Sequence, residues 1–214
     1  MARKDRQRMS SRKLAQEKRF LVVVEGAVTE SEYLGAVKRM RKLKSIQVLV
    51  ETGHSDPIGI VNQAKKRRTH ASKAEPFDQV WCVFDVEAKL TQKARFGLQR
   101  ALDAAQRTGI QCAVSNPCFE IWLLWHGEDK TAWISSDTVQ KRCAELTITH
   151  GNGGKHIRNL DALVDGCYQA AKSRAQSMDQ VHDRNGIEKP EDRNPSSGIY
   201  KLIDAIHAAF PPRE

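Results

Sequence analysis

A chain of 214 residues with 35 Lys and Arg against 26 Asp and Glu, a formal charge of +9 and a pI near 9.4, has room for one α/β domain with an appendage. It is short for two independent enzymes, and no apolar run is long enough to span a bilayer. The five cysteines show neither a CxxC pair nor zinc spacing, so reduced thiols in a soluble cytoplasmic protein are expected, and the basic balance favours an anionic partner, nucleic acid ahead of a membrane surface.

Residues 1–19 are a basic arm containing Arg3, Lys4, Arg6, Arg8, Arg12, Lys13, Lys18 and Arg19, with no apolar segment of signal-peptide length behind them. The arm is read as a phosphate-contacting tail, a solubilising tail or a short amphipathic helix. The stretch FLVVVEGAVTE at 20–30 follows. An apolar run without polar alternation predicts a strand covered on both faces, ending at Glu25. That acid either faces the ligand crevice at the carboxyl edge of the sheet or ends the strand as a solvated polar residue. Thr29 as cap and Glu32 three residues on predict a capping box for a helix with Tyr33, Val37 and Met40 on its buried side.

A second strand is predicted over 46–50, leading to His54, which is a crevice residue or a hydrogen-bonded loop histidine. Ser55 or Asp56 caps the next helix, with Pro57 in its first turn. The third strand, from Val80, runs into Asp85 and Glu87, whose spacing of two places both acids on one side of an extended chain. If the first and third strands are neighbours, Glu25, Asp85 and Glu87 meet at one edge. Three such anions repel one another unless a hard, oxygen-seeking cation lies between them.

Thr91 is the expected cap of a helix ended by Gly109, and a strand over 110–114 completes a β-α-β-α-β-α-β series that predicts a parallel sheet. Asn116 and Pro117 are expected to open an apolar helix carrying Glu120 in its first turn, with His126 at its far end as a terminus residue. Glu120 is either a first-turn acid favoured by the helix amides or a support for the metal site. Beyond it the pattern predicts a helix over 137–146, a cationic loop over 149–156 that lacks P-loop spacing, and a helix starting at Asn159. A polar loop over 176–195 is expected above the crevice, followed by a final helix capped by Ser196 or Ser197. The division expected is a basic arm at 1–19, an α/β core at 20–130 and a helical elaboration at 131–214 packed on that core.

Four segments, VVEGAVTESEY at 23–33, VFDVEAK at 83–89, SNPCFEIWLLWH at 115–126 and NPSSGIYKLI at 194–203, resemble the RloB family of bacterial phage-defence proteins, a branch of the Toprim superfamily. The resemblance implies a Toprim-like central parallel sheet flanked by helices, with a C-terminal helical elaboration. It implies magnesium, with manganese as substitute, held by Glu25 and Asp85 and by Glu87 directly or through water. The Glu at 87 is one methylene longer than the Asp usual in the pattern. Glu25, Asp85, Glu87 and Glu120 are the catalytic candidates, Glu120 by its place in the Ser-Asn-Pro-x-Phe-Glu signature. Lys89, Lys155 and His156 are candidates for nucleic-acid contact, each also readable as a solvated surface residue. The activity implied is a metal-dependent endonuclease cleaving DNA or RNA in anti-phage defence, gated by a homo-oligomer or a regulatory defence protein. The alternative is a weakly active or inactive Toprim-like nucleic-acid-binding or regulatory protein.

Overall fold

Consecutive apolar residues are buried on both faces of a strand only where helices cover both sides of the sheet. A computed structural model of the chain describes residues 18–40, 42–50, 56–71, 75–86, 91–151 and 154–211, and in it β1 (Phe20–Val24) is buried at every position. It lies between β2 (Ile46–Val50) and β3 (Gln79–Asp85), parallel to both. Parallel β4 (Gln111–Asn116) follows β3, and antiparallel β7 (Ser196–Ser197) closes the edge, for an order β2-β1-β3-β4-β7. First and third strands are therefore neighbours, as the pairing of their terminal acids requires.

The two faces divide by strand alternation. Leu21 and Val23 pack with α2 (Pro57–His70) and α3 (Gln92–Arg107). Phe20, Val22 and Val24 face the larger core, built from α1 (Thr29–Met40), α4 (Glu120–Gly127), α5 (Ser136–Glu145), α6 (Tyr168–Arg184) and α7 (Ile199–Ala209). Helix α4 is the centre of this layer: every residue from Glu120 to His126 is buried. Because that core draws on residues from Phe20 to Ile206, the last third of the chain covers one face of the sheet.

Several local expectations hold. Thr91 caps α3 by accepting the Ala94 amide at 3.2 Å, Pro57 opens α2 behind Asp56, and Gly109 turns the chain after α3 with φ of +65°. Others are corrected. The predicted capping box at α1 does not form, because the Thr29 and Glu32 side chains are engaged by a distant hairpin, β5 (Thr149–His150) with β6 (His156–Ile157). Asn116 and Pro117 do not open α4: β4 extends through Asn116, and the helix begins at Glu120. The loop expected over 176–195 is confined to 185–195, with a 3-10 turn at Pro190–Asp192, because 176–184 is the second half of α6, whose buried residues Tyr168, Ala171, Ala175, Met178 and His182 recur at helical spacing beneath a polar exterior. The helix expected from Asn159 begins there, with the Leu163 amide donating to the Asn159 carbonyl at 3.1 Å, but it widens into a π turn at Ala162–Gly166 and breaks before α6. Ser196 and Ser197, expected as a cap, form the edge strand, with Gly198 at the cap position of α7. A Cβ at Gly198 would lie 3.1 Å from the Val114 nitrogen, so glycine allows this close approach to β4.

The segment before β7 is fastened by two asparagines, each making three side-chain hydrogen bonds. Asn116 Nδ2 donates to the Pro190 and Glu191 carbonyls, and its Oδ1 accepts from Asn194 Nδ2 at 3.1 Å. Asn194 also bridges the Ile134 backbone, accepting its amide at 3.0 Å and donating to its carbonyl at 2.9 Å. Asn194→Ala strands these buried groups and is expected to lower stability by ~1–3 kcal/mol, read from urea unfolding of the two proteins. An unchanged midpoint would show that water replaces the amide at no cost.

Candidate functional site

Parallel strands deliver their terminal residues to one edge, and here that edge is acidic. Glu25 follows β1, and its amide donates to the Val83 carbonyl at 3.2 Å, which holds it against β3 two residues before Asp85. Asp85 ends β3 opposite Ser115 of β4, and its Oδ1 is buried without a hydrogen-bond partner. The nearby Phe119 amide lowers the pKa of this carboxyl group, against the larger effect of burial. Glu120, the next residue, is 6 % exposed, with Oε1 3.4 Å from the Thr29 hydroxyl.

A fourth acid joins them that the sequence reading passed over. Glu30, in the first turn of α1, is also 6 % exposed, and its carboxylate folds back over Gly26, where a Cβ would stand 1.8 Å from Oε2. Gly26 thus leaves the seat that Glu30 fills. The available signal was the acid five residues after Glu25 at the start of a helix on the ligand edge; the reading used Thr29 and Glu32 instead. Burial raises the Glu30 pKa, as does the charge of Glu120, against the lowering effect of the Glu30 and Gly26 amides and of Lys155. Asp85 is raised well above the usual carboxylate range, first by burial and then by the charges of Glu30, Glu120 and Glu25.

The β5–β6 hairpin closes one side of this rim. The Thr29 hydroxyl donates to the Lys155 carbonyl at 2.9 Å. Glu32 accepts the Ile157 amide at 2.8 Å and pairs with His156 Nδ1 at 2.6 Å. Lys155 and His156 are thereby brought beside the acids, both side chains exposed. His126 lies away from them, enclosed by Tyr33 and Trp122; burial pushes its pKa down to about 4, so it stays neutral and serves packing. Glu87, Lys89 and His54 lie outside the described residues, as does nearly all of the basic arm.

The donor set of the rim is entirely oxygen, and the unpartnered Asp85 Oδ1 offers a ligand atom, so the chemistry fits a hard divalent cation. Among the described residues, no group of three or more His, Cys, Asp or Glu side chains is arranged to hold a metal ion. Glu30, Glu120 and Glu25 are close enough to Asp85 to raise its pKa, and Glu120 is close enough to raise that of Glu30.

Residues 20–206 match the sequence profile of the family described as RloB-like protein, a span that takes in the sheet, the acidic rim, helices α1 to α6 and most of α7. The chain belongs to the RloB-like family. Membership carries it into the Toprim superfamily, a nucleic-acid-associated fold, in agreement with the central sheet and its C-terminal helical layer. Comparison with curated proteins gives no match. Among the described residues of this RloB-like chain, no helix is long and apolar enough to cross a membrane.

The raised carboxyl groups set a pH dependence. An acid whose folded pKa exceeds its unfolded value binds more protons when folded, so stability falls as pH rises from the ordinary carboxyl range through the folded pKa. Asp78, lowered first by the Arg19 amide and then by Lys18, acts in the opposite sense and below that window. Without divalent cations the protein is expected to melt at higher temperature at mildly acidic than at neutral pH. Asp85→Asn should raise the neutral melting temperature and flatten the decline. A neutral melting temperature left unchanged or lowered by Asp85→Asn would contradict the uncompensated burial of this group.

Proposed function

We propose that this protein binds DNA or RNA at the carboxylate rim and hydrolyses phosphodiester bonds there with magnesium, or manganese in its place, in bacterial anti-phage defence. The observation that supports this reading is the gathering of Glu25, Glu30, Asp85 and Glu120 at one sheet edge with Asp85 Oδ1 buried and unpartnered. Such an arrangement is costly in its anionic form unless positive charge offsets it. A bound divalent ion would supply charge neutralisation to the phosphodiester and an ionised water as nucleophile. Glu25 and Asp85 are the residues to hold it, with Glu30, Glu120 and Glu87 beside them, and Glu25 is the group to move the proton. Lys155, close enough to Glu30 to lower its pKa, is placed to meet a phosphate as it arrives.

A second reading has its own observation. A weakly active or inactive Toprim-like protein that binds nucleic acid for regulation needs the fold and the basic surface but no closed metal site. It asks less of the described residues, none of which form a metal-holding group of three. It also accommodates Glu rather than Asp at position 87.

The two separate on one experiment: labelled DNA and RNA incubated with the purified protein, with and without magnesium or manganese. Under the nuclease reading, cleavage requires the metal and falls to background in Glu25→Gln and Asp85→Asn while binding persists. Cleavage that survives in both variants would overturn the site. Binding without cleavage at any metal concentration would establish the second reading.

A further inference from the structure

Two large hydrophobic side chains stand exposed among the described residues: Phe96 at 66 % and Trp133 at 69 %. They come from separate elements, α3 and the connection between α4 and α5, yet both attach to the same short segment. Arg95, next to Phe96, pairs with Asp192 at 2.6 Å, and Gln99, one turn on, donates to Glu191. Ile134, next to Trp133, is bridged on both its backbone groups by Asn194. Asn194 is bonded in turn to Asn116, the residue after the strand partner of Asp85. Residues next to both rings are thus tied to the segment 191–194, which Asn116 fastens on the β4 side of the acidic rim.

The geometry points to a single-stranded nucleic-acid platform at this place, on which Phe96 and Trp133 stack unpaired bases of a strand passing the rim; this rests on the nucleic-acid reading above. Four carboxylates repel a phosphate backbone, so a strand held near them gains from contacts that do not run through its phosphates. Stacking of a base on an aromatic ring is such a contact, and it needs a base face free of a neighbouring base pair. The Arg100 guanidinium, 5.8 Å from the Phe96 ring centroid, puts a positive charge beside that ring. Because both rings are exposed, substituting them leaves the core intact.

The test is binding rather than cleavage. Trp81, Trp122 and Trp125 are 6 %, 0 % and 0 % exposed, so a change in accessible tryptophan emission reports Trp133. The full chain is titrated in calcium with single-stranded DNA, single-stranded RNA and a blunt duplex, each checked afterwards for intactness on a gel. Single strands are expected to quench emission and shield it from iodide, and the duplex to do neither. Phe96→Ala and Trp133→Ala, the former read by emission and both by anisotropy of labelled strands, should each weaken single-strand binding at least ~5-fold and leave duplex binding within twofold.

Unchanged single-strand affinity in both variants overturns the platform, as does an equal loss for single strand and duplex. A wild-type dimer that Trp133→Ala converts to monomer on sedimentation also overturns it, since the ring would then belong to a contact between copies. If nucleic acid binds but the aromatic variants behave as wild type, only the platform fails. If no nucleic acid binds at all, the reading beneath it fails as well.

Discussion

The cost of placing several carboxylates at one half-buried sheet edge is the constraint on which the rest of this molecule turns. Asp85 carries it most heavily, enclosed among Glu25, Glu30 and Glu120 with one oxygen unpartnered and its pKa raised well above the ordinary range. An arrangement of this kind is disfavoured by burial and by like charge together. A fold driven by stability alone would replace one of these acids with an amide. Their retention along one edge is the reason to look for function there.

Backbone hydrogen bonds and close packing hold the acids in place. The Glu25 amide is bonded to β3, the Phe119 amide lies near Asp85, and Gly26 leaves the space that Glu30 occupies. The Thr29 hydroxyl bonds the Lys155 carbonyl and lies near Glu120, so the hairpin and α4 meet the start of α1 through one side chain. On the other side, the Asn116–Asn194 pair ties the last third of the chain to the end of β4. The rim is thus bounded on two sides by separately anchored segments, the Lys155–His156 hairpin and the stretch before β7.

The helical layer that the C-terminal third contributes serves this rim as well as the core. α6 and α5 pack along α4, which is buried between them and the sheet and presents Glu120 at its first turn. Membership of the RloB-like family spans both regions, in keeping with a core shared between them.

From sequence, the four parallel strands, their order of appearance and the positions of Glu25, Asp85 and Glu120 at helix or strand ends are legible, because hydrophobic periodicity and breaker residues are local signals; the two-residue strands β5, β6 and β7 carry no such signal. Glu30 was not, since an acid in a helix first turn satisfies a local rule and gives no sign that it folds back over a glycine. The same limit explains Thr29 and Glu32: their spacing satisfies a capping box, yet the stronger partners come from a hairpin more than 120 residues away. The polar run after residue 176 read as loop because its buried positions, Met178 and His182, are sparse, and only packing against α4 and α7 makes them a helix face. Local chemistry therefore determined the layered α/β class and the acids at its edge. Which distant side chains meet at that edge, and which of them lose their solvent, was decided by tertiary packing, because desolvation and charge coupling depend on distances in space that spacing along a chain does not encode.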